Sequence, residues 1–284
     1  MFKKENWNNE LSKYLKQGDS TRVRKTKIWE AAIGLQDVDG LKPSKYLLEI
    51  AKKHIEGNID IYEAKNRVDD YYRAQVSRKN SEDDSEEADK VAVRITELLS
   101  EDSFSFSPTE LINIHKRLFK DIFEEAGIYR DYTFTKKEWV LNGDTVIYAP
   151  FEKIKEYLEY DFEQERKFSY AELNIIEVIK HICKFTSNIW QVHPFCEGNT
   201  RTTAVFMIKY IISLGFSVNE EVFAKNSWYY RNSLVRANYS NNEKNIIENT
   251  IFLERFYTNL LVDSEYNLKN EYTHIDYHTN ADKE

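Results

Sequence analysis

A base, a carboxylate, a glycine, an amide and a guanidinium stand within nine consecutive positions of this 284-residue chain: His193, Glu197, Gly198, Asn199 and Arg201, in the run His-Pro-Phe-Cys-Glu-Gly-Asn-Thr-Arg. Packing would ask for apolar types at those offsets, whereas this set suits an anion beside a proton acceptor. An unperturbed imidazole titrates near about 6.5, so at neutral pH His193 can take a proton from a hydroxyl as a general base. Phosphoryl and nucleotidyl transfer need charge neutralised on phosphate oxygens. Arg201 can hold two such oxygens at once, and Gly198, Asn199 and Thr200 supply a turn whose amide and backbone N–H groups complete a cradle. A carboxylate at Glu197 would repel phosphates unless a cation lay between them, which points to Mg²⁺ held at Glu197. The plainer reading of Glu197 is an acid that complements a helix N-terminus. Phe195 reads as an anchor for the loop and Cys196 as structural. His274 and His278 are spaced like helix-borne metal ligands, but they lie in a polar tail with no third ligand and make no site.

Such a run needs rigid mounts on both sides. Behind it, Thr200 to Leu214 predicts a helix, with Val205, Ile208 and Ile212 on one stripe and Gly215 as its stop. Ahead of it, Ala171 to Trp190 predicts a central helix through Ile176, Ile179, Cys183, Thr186 and Trp190. Further helices are expected over Val91 to Ser100, from a cap at Ser107-Pro108-Thr109-Glu110 to Phe123, and over about Glu152 to Gln164, Asn226 to Asn238 and Asn245 to Leu261. Near the N-terminus, Lys42-Pro43-Ser44 opens one helix, and Asp60 with Glu63 opens a second that runs to about Ala74. Between Gly127 and Pro150, Trp139, Val140 and Leu141, a turn at Asn142-Gly143-Asp144, and Val146, Ile147 and Tyr148 predict a single β-hairpin.

Bulk composition sets the class. Hydrophobic residues make up 41% of the chain, enough for a real core, and eight glycines with four prolines argue for helices joined by short loops: a mostly α fold. The net charge of −8 comes from 48 acidic and 40 basic side chains, so no basic field recommends nucleic acid as a partner. Two cysteines, Cys183 and Cys196, suggest neither a disulfide framework nor a zinc site, and suit a cytoplasmic setting. No signal peptide or membrane-spanning run is expected. The acidic stretch within Ser77 to Lys90 reads as a linker, dividing the chain into an N-terminal helical module (1–80), a linker or helix start (81–90), a main domain (91–262) and a polar tail (263–284).

The run from His193 to Arg201 resembles the signature of the Fic (filamentation induced by cAMP) family, HPFx[D/E]GNxR. Over roughly residues 90 to 262 the resemblance includes Ala126-Gly127-Ile128-Tyr129-Arg130, similar to the stretch before the family's flap hairpin. It implies AMP transfer from ATP to a Ser, Thr or Tyr hydroxyl of a protein, the chain itself included, with His193 as base and Mg²⁺ at Glu197. It also implies a flap (Trp139, Val140, Leu141, Val146, Ile147, Tyr148) that aligns the target, and adenine contacts from Tyr230 and Asn238. Two positions depart from the pattern: Thr200 where many members have glycine, and Ala204 where a second arginine grips the nucleotide. Doc-like phosphotransferases of the same fold, which move a phosphate instead, and a non-catalytic nucleotide-binding module are the alternatives. The N-terminal hairpin resembles a small VbhA-like antitoxin module. Its inhibitory motif would fall at Leu35 to Gly40, with glutamate shortened to Asp39 beside Gly40, and the expectation is that Asp39 inhibits through hydroxyls such as that of Thr200.

Overall fold

The computed structural model describes residues 11, 13–16, 19–76, 85–262 and 264–277. Residues 81–84 of the expected linker, His278 and the last six residues of the tail lie outside these. Ten α-helices account for most of the described chain, as the composition requires: α1 (Ser20–Gly34), α2 (Lys45–Ile55), α3 (Ile61–Val76), α4 (Ser85–Ser100), α5 (Pro108–Phe119), α6 (Ile154–Lys167), α7 (Ile175–Val192), α8 (Asn199–Ser213), α9 (Glu221–Ala237) and α10 (Ile251–Val262). Among the described residues no helix is long and apolar enough to cross a membrane.

Helix starts follow their caps. The Ser107 side chain accepts from Glu110 N–H at 3.1 Å, and Asn174 with Glu177 closes a capping box at the start of α7. Ser44 caps α2 and Asp60 receives the Glu63 N–H at 2.7 Å. Of the two readings of 81–90, linker or helix start, the described residues from Ser85 onward follow the second: they form the first turns of α4, and Asp89 there is fully buried. Its carboxylate accepts from Ser44 N–H at 2.8 Å and Tyr72 O–H at 2.7 Å, which fastens α2 and α3 to α4.

Two stripes differ from expectation at their ends: Ile176 is 62% exposed in the first turn of α7, and Ile212 is 49% exposed in the last turn of α8. Otherwise α8 is buried all round from Asn199 to Ile211, packed on α4, α5 and α7. Gly215 ends that helix region at φ +92°. Helix α1 lies against α4 and α9, where Trp29, Ala31 and Ala32 are fully buried. At its end Gly34 meets α9 so closely that a Cβ would stand 2.5 Å from Ala224 Cα, and the Ser227 hydroxyl donates to the Gly34 carbonyl at 2.6 Å. The chain then tightens into a 3₁₀ turn, Leu35–Asp39, closed by Gly40 at φ +72°.

The hairpin is corrected. No β-strand is formed among the described residues apart from an isolated bridge between Asn241 and Ile246. Trp139–Leu141 is a 3₁₀ turn followed by Asn142 at φ +55°, so Val140 and Leu141 are both buried instead of alternating between faces. The tail is also less detached than its polarity suggests: Ile275 N–H donates to the Val140 carbonyl at 2.9 Å, and the His274 ring lies 4.9 Å from that of Trp139.

Candidate active site

His193 ends α7 in the left-handed region, φ +49° and ψ +60°. That conformation costs a non-glycine residue of order 1–3 kcal/mol and persists only where its surroundings enforce it. Arg130 does the enforcing. Its buried guanidinium donates to the carbonyls of His193 (2.7 Å), Val192 (3.2 Å), Ala149 (2.5 Å) and Tyr132 (2.8 Å), and its own N–H donates to the Pro194 carbonyl at 2.9 Å. One side chain thus ties the loop to both ends of the flap segment. His115 braces the other half. It accepts the Gly127 N–H on Nδ1 at 2.8 Å, which leaves Nε2 protonated to donate to the Glu197 carbonyl at 3.1 Å. Its ring stacks on Phe195 at 3.7 Å, so Phe195 is a core anchor as its sequence context suggests.

The His193 ring stands against Tyr148 (4.1 Å), Trp190 (5.3 Å) and Phe134 (5.6 Å). Its Nδ1 is cut off from solvent without a hydrogen-bond partner. Burial holds its pKa well below the ordinary value, Lys136 lowers it further, and the Trp190 carbonyl offsets only part. The ring is therefore neutral at physiological pH, the state that a general base requires.

Gly198 sits at φ +73° before α8, and a Cβ there would meet the Phe119 ring at 2.4 Å, so both the backbone and the space demand glycine. Thr202 N–H is the first to bond back, to the Gly198 carbonyl at 3.0 Å, leaving those of Asn199, Thr200 and Arg201 ahead of the helical ladder. The Asn199 side chain, expected in the phosphate cradle, is spent on its own loop: it accepts from Phe195 N–H at 3.0 Å and donates to the Phe195 carbonyl at 2.7 Å. The Thr200 hydroxyl accepts from Trp190 Nε1 at 3.0 Å.

Arg201 is 1% exposed and ringed by acceptors. Its Nε lies 2.9 Å from an Asp39 oxygen, one terminal nitrogen donates to Glu87 at 2.6 Å, the other to Gln36 at 3.1 Å, and its plane lies over Phe119 at 4.8 Å. Asp39 thus meets Arg201 and not the Thr200 hydroxyl, because the 3₁₀ turn after α1 points it at the guanidinium; Gly40 supplies only the left-handed stop. The glutamate at position 87 and the glutamine at 36 carried no sequence signal, being single polar residues in a segment read as linker and in a motif read for its acid. The pocket lined by Asp39, Lys136, His193, Glu197, Thr200 and Arg231 has a volume of only about 10 Å³, far below the several hundred that a small-molecule site needs.

Glu197 stands on the lip, its side chain 60% exposed and 3.7 Å from Lys136 Nζ. Among the described residues no cluster of three or more His, Cys, Asp or Glu could cage an ion. A single accessible carboxylate nonetheless fits Mg²⁺, which is held through one or two carboxylates together with substrate phosphates. Arg231 lines the same pocket and is locked to the buried Glu138 by contacts of 2.7 and 2.9 Å.

Tyr230 and Asn238, the expected adenine contacts, do not line the pocket beside His193. Tyr230 is fully buried in an aromatic cluster with Phe223, Phe256 and Tyr257. Asn238 caps α9, donating to the Leu234 carbonyl at 2.8 Å and accepting from Ser187 O–H at 3.0 Å. Of the flap residues only Trp139 (51%) and Ile147 (82%) are exposed.

Residues 105–211 match the Fic/DOC family, and the chain carries a domain of that family there. Over 129 residues, 42% of this chain, it is 29% identical to a protein adenylyltransferase of Bartonella henselae, and it spans about a quarter (24%) of that relative's length. Solved structures with a similar course include BepC, a VirB-translocated effector of Bartonella tribocorum with bound AMPPNP (20% identity, 63% of this chain and 88% of that one, TM-score 0.48). A Fic family protein of Desulfovibrio desulfuricans G20 aligns over 88% of this chain and 69% of its own at 13% identity and a TM-score of 0.47.

Proposed function

We propose that the protein is a Fic-type adenylyltransferase that moves AMP from ATP to a Ser, Thr or Tyr hydroxyl of a protein, and that the described conformation is its self-inhibited state. The observation that carries the catalytic reading is the neutral His193 ring, its Nδ1 without a hydrogen-bond partner, held by Arg130 in a strained cap five residues before a glycine-led helix N-terminus. His193 takes the acceptor's proton, the hydroxyl oxygen forms a bond to the α-phosphorus, the bond from that phosphorus to the β-phosphate bridge breaks, and pyrophosphate leaves. The free N–H groups opening α8 and the Arg201 guanidinium neutralise the charge that builds on the phosphate oxygens. Glu197 would hold Mg²⁺, which supplies further charge neutralisation at the phosphates when bound.

Inhibition follows from where Arg201 is spent. Asp39, Gln36 and Glu87 occupy its donors, and Asp39 is also a wall of the small pocket beside His193 that the triphosphate needs. In this reading the N-terminal helices act as a built-in antitoxin-like module. Ala204 in place of a second arginine and Thr200 in place of glycine favour one further reading, the transfer of a different phosphate-containing group on the same fold. Incubation with α-labelled and γ-labelled ATP separates the two: AMP transfer leaves the α label on protein and the γ label in solution, and the reverse pattern would replace the first reading with the second.

A further inference from the structure

Next to the His193 loop, a groove of about 430 Å³ opens between the end of the flap segment, α6 and the last two turns of α7. Its walls are unusually greasy for a surface, with Ile147 82%, Tyr160 61% and Tyr157 41% exposed. Its polar group is Asp161. The carboxyl accepts one long hydrogen bond, 3.4 Å from Asn188 Nδ2, and burial raises its pKa to about 6 with no cation opposing the shift. No Lys or Arg stands among the residues that line the groove. A half-buried carboxylate in a groove that Tyr157 and Tyr160 also line, with no cation in that lining, is complementary to a Lys or Arg side chain, whose charge the carboxylate balances and whose stem tyrosine rings can cover.

We infer that this groove binds a basic side chain of the protein segment that carries the acceptor hydroxyl, with Asp161 as the counter-ion. The inference rests on the proposed protein-modifying reaction and adds a sequence preference to it. Asn188, which touches Asp161, precedes His193 by five residues, about 7.5 Å along the helix axis. An extended target advances about 3.3 Å per residue, so its basic residue falls two or three positions from the hydroxyl.

Fluorescent nine-residue peptides with a central threonine, one arginine walked through every other position of a Ser/Val background, and glutamine counterparts at each position, test this by anisotropy with the full chain and no nucleotide. The expected result is one register, two or three residues from the threonine, that binds about ten-fold tighter with arginine than with glutamine. Asp161→Asn removes that preference and leaves the glutamine peptides unchanged, and Asp161→Lys transfers it to a glutamate peptide. Equal affinities across the scan, or a preference that persists in Asp161→Asn, would overturn the inference. His193→Ala keeps the preference, so absence of AMP transfer together with an intact arginine preference counts against the catalytic reading and not against the groove.

Discussion

Replacing Asp39 with alanine probes the self-inhibited state at one atom pair. Arg201 is 1% exposed, and its two charged partners, Asp39 at 2.9 Å and Glu87 at 2.6 Å, are each about a quarter exposed. Hydrogen bonds to charged groups contribute roughly 1.5–3 kcal/mol; partial exposure of Asp39 and the sharing of one guanidinium with Glu87 reduce this to about 1–2 kcal/mol. That energy opposes any phosphate reaching Arg201, so its removal should tighten nucleotide binding by about 5- to 30-fold. Glu87 stays behind, so the arginine is not left buried and uncompensated, and Asp39→Ala should still fold, with a melting temperature lower by a few degrees. Titration of a non-hydrolysable ATP analogue gives the affinity, and intact-mass auto-modification at low ATP gives the rate. Glu87→Ala should act in the same direction, whereas the double variant strands the guanidinium and should lose about 3–5 kcal/mol of stability. A folded Asp39→Ala protein whose affinity and rate stay within about two-fold of wild type would refute the claim that the acid withholds Arg201.

Other outcomes follow from single features. Because burial depresses the His193 pKa, the acid limb of the transfer rate should lie well below pH 6.5, and a limb at or above that value in the pH profile of kcat/KM would show the ring to be solvated. His115 is likewise pushed down, to about 4, so the unfolded chain binds its proton first as pH falls: stability is full above about 6.5 and is lost toward about 4, by about 3 kcal/mol at most, measurable by urea unfolding at stepped pH, with His115→Gln flattening that dependence. Gly34→Ala places a methyl 2.5 Å from Ala224 Cα and should destabilise by about 1–3 kcal/mol, read as a melting temperature lower by several degrees.

The motif, its helix and the helix starts that carry a local cap were legible, whereas the starts of α4, α7 and α10 fall four to six residues from where periodicity puts them. Capping residues such as Ser107 and Ser44 satisfy N–H groups within three positions, and Gly198 announces a left-handed turn whatever surrounds it. Where neighbours far along the chain decide, the sequence was mute or misleading. Helix α1 has a basic first half and an apolar second half, so no stripe betrays it, although Trp29 anchors it through a 2.9 Å hydrogen bond to His54. Val140 and Leu141 look like strand residues, yet the tail segment ending near Ile275 takes the Val140 carbonyl and holds a 3₁₀ turn there. Tyr230 belongs to a helix whose polar neighbours line the pocket side, and only packing against α10 reveals that its ring faces inward. Arg130 could have been found as a catalytic-loop clamp from its place in Ala126 to Arg130, but its four carbonyl acceptors come from three separate stretches of chain.

The central claim is that the His193 ring deprotonates a protein hydroxyl for attack on the α-phosphate of ATP. Its most direct test is intact-mass spectrometry of the Asp39→Ala protein incubated with ATP and Mg²⁺, with and without His193→Ala. The account predicts adducts of one AMP each on the first protein and none on the second. Adducts of equal yield on both, or phosphate-sized adducts in place of AMP, would contradict it.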